Sequence, residues 1–197
     1  NTFALFFPEK RPFFLEGADY FSSPNQLVYT RNVTDPDVGL RTTGRTGQHT
    51  YGVFAARDTV TNLLLPGVNG SRLAQYDLAS NDAALRYRYD FKGNNSLGVL
   101  ATERRGGDYY NSLQSVDGHW QRKEHSVEVQ YIPTRTRDPG DAPISADAYS
   151  AYYTYDSRNW FGLLGRDHFD DGFRADMGFI GQVGYEQDTA RLTRHWW

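Results

Sequence analysis

Between Leu85 and Lys92 apolar and charged side chains alternate one by one. Leu85, Tyr87, Tyr89 and Phe91 fall on one side of an extended chain, and Arg86, Arg88, Asp90 and Lys92 fall on the other. Period two is the spacing at which a β-strand turns successive side chains to opposite faces. The pattern predicts a strand over 82–92. Lys92-Gly-Asn-Asn95 then supplies a turn, and Ser96 to Arg104 returns as the antiparallel partner.

The same design recurs along the chain. Residues 39–46 and 49–59 flank a turn at Gly47, with Tyr51, Val53 and Ala55 sharing a face. Residues 125–136 set Val127, Val129 and Tyr131 against Ser126, Glu128 and Gln130, and 146–156 and 160–167 flank Ser157-Arg-Asn159. Phe173, Ala175, Met177 and Phe179 align in a further predicted strand, with 182–191 expected to pair beside it. Roughly nine or ten strands result, an all-β antiparallel up-and-down array over 26–197. Residues 1–25 stand apart: Phe6, Phe7, Phe13 and Phe14 bracket Pro8, a charged triplet and Pro12, which predicts an irregular entry segment packed by its rings.

Two features of the array point to a transmembrane barrel. The predicted strands run near the ~9 to 11 residues that cross a bilayer at a tilt. Connections also alternate in length: tight at Gly47, Lys92–Asn95 and Ser157–Asn159, longer at 62–80, 106–113 and 137–145. Short turns at one end and long loops at the other characterise outer-membrane barrels. Composition agrees. Aromatic residues make up 15% of the chain while mean hydropathy is polar at -0.68, as expected where an apolar lipid face alternates with a polar lumen face. A Tyr-rich soluble sandwich would give the same totals. Tyr109, Tyr110, Trp120, Trp160, Trp196 and Trp197 suit either an interfacial belt or a sandwich core.

Charge and chemistry narrow the function. A net charge of -3 argues against nucleic acid as a partner. The absence of cysteine removes disulfides, thiolate metal sites and thiol nucleophiles. The histidines at 49, 119, 125, 168 and 195 show no metal-ligand spacing, and no metal or other cofactor is expected. Asp167, His168, Asp170 and Asp171 lack the register of a calcium loop and read as a solvated loop. Ser115, Asp117 and His119 share one strand face, but a row on one strand does not place a base between its two partners, so no catalysis is expected. The candidate binding residues are Arg41, Arg45, Arg86, Arg88, Arg104 and Glu128, with Arg57 beside them. On faces opposite the aromatics they would project into a lumen, as a salt-bridge ladder or as a path for an anionic or sugar-like solute.

Four stretches carry a resemblance. Phe6-Phe-Pro-Glu-Lys-Arg-Pro-Phe-Phe-Leu-Glu-Gly-Ala-Asp-Tyr-Phe21 resembles the entry motif of a bacterial family catalogued as domain of unknown function 5916. Leu27-Val-Tyr-Thr-Arg31, Thr43-Gly-Arg-Thr-Gly47 and Gly172-Phe-Arg-Ala-Asp-Met-Gly-Phe-Ile180 are similar to later landmarks of that family, in the same order. The resemblance implies an outer-membrane β-barrel, often downstream of a domain like the family-nine carbohydrate-binding modules, and supplies no catalytic residues. The expectation is part of a larger barrel in the bacterial outer membrane, handling solutes or glycans. Its expected partners are outer-membrane lipid, other outer-membrane or periplasmic proteins and a carbohydrate ligand. The alternative is a soluble β-rich module that binds carbohydrate or peptide.

Overall fold

The computed structural model describes residues 17–33, 36–59, 61–76 and 78–196. The family-like stretch at the start of the chain therefore lies mostly outside the described residues. Within them the chain forms two short 3-10 turns, Ala18–Phe21 and Thr30–Asn32, and eleven strands. These are β1 (Pro36–Thr46), β2 (His49–Asp58), β3 (Thr61–Leu65), β4 (Arg72–Tyr76), β5 (Ser80–Phe91) and β6 (Asn95–Gly106). There follow β7 (Tyr109–Arg122), β8 (His125–Arg137), β9 (Ile144–Asp156), β10 (Trp160–Phe169) and β11 (Tyr185–Arg194).

Nine strands join in one antiparallel sheet in the order β1-β2-β5-β6-β7-β8-β9-β10-β11. The hairpin β3–β4 is a separate two-stranded sheet in the connection between β2 and β5. The protein is thus all-β, antiparallel and up-and-down. The sheet is not closed into a barrel: β1 and β11 are its two edges.

The connections sort by end. At one end, here the turn end, lie 47–48, 92–94, 123–124 and 157–159; at the other, the loop end, lie 59–79, 107–108, 138–143 and 170–184. The three two-residue turns of the main sheet, Gly47-Gln48, Gly107-Asp108 and Lys123-Glu124, open with φ of 58°, 53° and 52°. Positive φ at that position lets the turn follow the right-handed twist of the flanking strands. The connection over 106–113, expected to be long, is one of these tight turns, and 62–80 holds the β3–β4 hairpin.

One predicted strand is absent. Residues 173–179 run as an irregular segment, although Phe173, Ala175 and Met177 are buried as a strand face would be. Its backbone bonds go to the other irregular segment instead: Tyr29 N–H donates to Met177 C=O at 2.6 Å, and Phe179 N–H to Gln26 C=O at 2.8 Å. β11 accordingly pairs with β10 and not with 173–179.

Segments 17–33 and 170–184 lie against one face of the sheet, the covered face. Leu100, Leu113, Ile132, Ala148 and Phe169 from the sheet pack there with Leu27, Phe173 and Val183. Phe54, Ala56 and Ala84 pack with Phe21, Val33 and Met177. The other face is bare and apolar. Val53, Leu85, Val99, Val116, Val129 and Leu164 form its middle, each at least 38% exposed. Among the described residues, every exposed large hydrophobic except Val68, Ile144 and Trp196 stands on this bare face.

Candidate functional site

Several strand charges, among them Arg45, Asp82, Arg86, Arg88, Asp90, Arg104, Asp117 and Glu128, stand on the covered face, and those that are buried there need partners. Arg86 is 3% exposed and pairs bidentately with Asp117, one bond being 2.9 Å from Nη2 to Oδ2. The guanidinium crosses β6 to reach β7, and Gly98 makes room for it: a Cβ built there would lie 2.6 Å from both terminal nitrogens. Nearer the turn end, Asp90 is shared by Arg88, with Nε at 2.9 Å, and by Arg45, with Nη2 at 3.2 Å. His119 and Glu128 face each other across β7 and β8, with Nδ1 to Oε2 at 3.9 Å.

These groups line a polar cleft of ≈ 620 Å³ at the turn end of the covered face. Ser22, Ser23 and Pro24 of the inner segment form its opposite wall. The cleft offers guanidinium donors from Arg45 and Arg88, hydroxyls and amides, and the carboxylates of Asp90 and Glu128. Its formal charges balance, with Arg45, Arg86 and Arg88 against Asp90, Asp117 and Glu128. Such a lining suits a polar hydroxylated solute better than a simple anion, because each donor stands close to an acceptor.

The structure brings together four of the six candidate residues, Arg45, Arg86, Arg88 and Glu128, in this cleft. Arg41 is on the covered face of the edge strand β1, opposite Phe54. Arg57 is not on the covered face. It continues the row Tyr51, Val53, Ala55 and marks where the bare face turns polar near the loop end.

Arg104 serves a different assembly. It is fully buried and clamps Asp82 with Nε at 2.8 Å and Nη2 at 2.7 Å, and it donates to the Asn32 carbonyl at 2.8 Å. Asn32 in turn donates from Nδ2 to the carbonyls of Asp176 and Gly178, at 3.1 and 2.6 Å. Arg174 bridges Asp138, with both contacts at 2.8 Å, and Asp176. The Tyr109 hydroxyl donates to Asp176, and Asn111 joins Thr136 to the Arg174 carbonyl. Burial disfavours the Arg174 cation, but Asp176, Tyr109 and Asp138 outweigh it and raise its pKa above the ordinary range. This network staples both inner segments to β6, β7 and the 138–143 loop. Sequence reasoning picked out Gly172–Ile180 as a motif but gave no role to Arg174, Asp176, Asn32 or Asp82. Apart from the Arg174–Asp176 pair, their partners are far away in sequence, so spacing carries no signal of them.

The remaining candidates fall apart in space. Ser115, Asp117 and His119 do share the covered face of β7, but Ser115 accepts from Gln130 Nε2 at 2.8 Å while Asp117 is held by Arg86. Asp167 and His168 belong to β10 and not to a loop. They point to opposite faces, with Asp167 accepting from the Tyr152 hydroxyl and His168 stacked on Tyr149.

Fold and site together define a one-layer antiparallel sheet with a charged, stapled face and a bare apolar one. No protein-family profile, curated protein or solved structure matches the chain.

Proposed function

We propose that this sheet is part of the wall of a bacterial outer-membrane β-barrel, of the family its motifs resemble, with segments 17–33 and 170–184 lying inside it. The observation that carries the reading is the inversion of the sheet. Charged pairs such as Arg86–Asp117 and Arg104–Asp82 are buried, while the valines and leucines of the alternate positions face outward without cover. On β5 the apolar run from Ala83 to Phe91 spans about 26 Å along the strand at ~3.3 Å per residue. At a tilt near 40° that is about 20 Å of depth, close to the ~25 Å band of such barrels. Strand lengths of 10 to 14 residues in the main sheet are sufficient to cross.

Hydrocarbon does not tolerate open sheet edges. The reading therefore requires further strands, from this protein or another, to pair with β1 and β11. Within the lumen so formed, the ≈ 620 Å³ cleft is where a hydroxylated solute such as a glycan unit would be held.

The test compares circular dichroism and heat-modifiable gel migration with and without detergent micelles. Strand signal with a compact, heat-modifiable band only in micelles is the expected result. A monodisperse protein that folds cooperatively in plain buffer refutes it and points to a soluble β-rich binding module.

A further inference from the structure

The turn end of the bare face carries a device built twice. His49 is the first residue of β2, lies opposite Tyr89, and places Nδ1 2.7 Å from the Tyr87 hydroxyl. His125 is the first residue of β8, lies opposite Tyr155, and places Nδ1 2.7 Å from the Tyr153 hydroxyl. The imidazole centroids lie 5.0 Å from Tyr89 and 5.1 Å from Tyr155. Both histidines are exposed and directly follow a two-residue turn. With Nδ1 engaged by tyrosine, Nε2 of each makes no hydrogen bond among the described residues.

Two independent features share this rim. Of the four tryptophans in the chain, the three that are described, Trp120, Trp160 and Trp196, all stand at the turn end. The Arg194 guanidinium lies 5.2 Å over the Trp160 ring and 3.7 Å over that of Trp196. The connections also differ in charge by end. The tight connections 92–94, 123–124 and 157–159 carry Lys92, Lys123 and Arg158 against Glu124, and Arg122 faces His125 in register. The connections 107–108, 138–143 and 170–184 carry Asp108, Asp138, Asp141, Asp170, Asp171 and Asp176 against Arg174 alone.

We infer that the turn-end rim binds phospholipid headgroups and prefers anionic ones. This rests on the membrane reading above. Tyrosine and tryptophan settle at the boundary between headgroup and hydrocarbon, where a ring is in the apolar layer and its polar edge is wet. Basic side chains at that depth meet lipid phosphates and gain from a negative surface. In each His–Tyr pair the hydroxyl fixes the imidazole, so that Nε2 presents a hydrogen-bonding atom to a phosphate or glycerol oxygen. The loop end has no such bias, because Arg57, Arg105, Arg135 and Arg137 at the strand ends stand among its carboxylates.

The tryptophans make the rim observable. The full-length protein is inserted into phosphatidylcholine vesicles holding a few per cent of an energy-accepting probe on either phosphatidylglycerol or phosphatidylcholine. Tryptophan transfer to the two probes is then compared. Insertion is read separately by heat-modifiable migration in vesicles without phosphatidylglycerol. The expected result is severalfold enrichment of the anionic probe. It should fall to near parity in Lys92→Gln/Arg122→Gln/Lys123→Gln, each cation being worth up to about fivefold in binding, and in the unaltered protein at 1 M salt. Insertion with equal transfer to both probes overturns the headgroup proposal and leaves the barrel reading standing. Failure to insert overturns both.

Discussion

Val99 is the position at which water and lipid give opposite answers. It lies in the middle of β6, with Tyr87 and Val116 as its cross-strand neighbours, and its side chain on the bare face is 40% exposed. On a water-facing sheet surface, Val99→Arg would remove little packing, and its cost would lie within about 0.5 kcal/mol, or about 1 kcal/mol with the loss of strand propensity. On a lipid face near mid-depth the same substitution costs about 2 to 4 kcal/mol, falling to about 0 to 1 near the interface. Glu103 is the internal control. It is on the same strand and face, four residues or about 13 Å nearer the loop end, where the bare face has turned polar. Glu103→Arg should therefore cost no more than about 1 kcal/mol. The assay is urea unfolding in phosphatidylcholine vesicles followed by tryptophan fluorescence. A gap of 2 kcal/mol or more corresponds to about thirtyfold or more in the folding equilibrium. Equal costs at the two positions, or a Val99→Arg cost below about 1 kcal/mol, would refute the assignment of this face to lipid.

Three further outcomes follow from the covered face. Arg104→Met strands the fully buried Asp82 carboxylate and should cost about 3 to 5 kcal/mol, whereas adding Asp82→Leu should recover part of that loss; chemical denaturation of the two variants checks it, and a double variant no better than the single one contradicts the pairing. Gly98→Ala pushes a methyl group against the Arg86 guanidinium and should cost about 1 to 3 kcal/mol, while Gly162→Ala, with its nearest neighbour at 3.8 Å, should be close to neutral. The Asp170 carboxylate accepts the Asp147 N–H, and that bond, aided by His168 and opposed by burial, holds its pKa below the ordinary 3.8. The depressed folded value means its contribution is intact above about pH 4 and is lost as pH falls through that value. The Asp147 amide shift should titrate with a midpoint below 3.8, and a midpoint at or above it contradicts the bond.

Much of the sheet was legible because side-chain chemistry alternates sharply. In β5 a charged residue separates each aromatic from the next, so its phase and its turn at Lys92 could be read directly, as could β8 through β10. The same signal misled at 173–179. Phe173, Ala175 and Met177 alternate like a strand because one side of an extended segment is buried. Periodicity reports which side chains are covered and not whether the backbone finds a ladder partner. The turn at Gly107-Asp108 was hidden by the run of small and polar residues around it. Arg57 was assigned by its charge, although it shares parity with Tyr51, Val53 and Ala55, because proximity to the loop end is not visible in the sequence. Four cleft residues could be grouped by strand face alone. Arg104 could be assigned to that face but not to its task, since Asn32 and Asp82 reach it only through the fold.

The two unsatisfied features of this sheet constrain its surroundings together. A row of exposed apolar side chains running across the middle of the sheet is unusual for a soluble monomer, and the proposed lipid would cover it. Among the described residues the outer sides of β1 and β11 have no neighbouring strand, a condition hydrocarbon does not tolerate and other strands can relieve. A second soluble sheet packed on the bare face would meet the first demand, but it gives no reason for the tryptophans, the His–Tyr pairs and the basic turns to share one end. A bilayer gives that reason, since it has an interface at a fixed depth where aromatic rings and basic side chains are favoured. It meets the second demand only if the sheet continues into further strands. The lipid reading therefore stands or falls with closure: β1 and β11 must show slow amide exchange along their outer edges in the intact protein, and fast exchange at both edges in bilayers would exclude it.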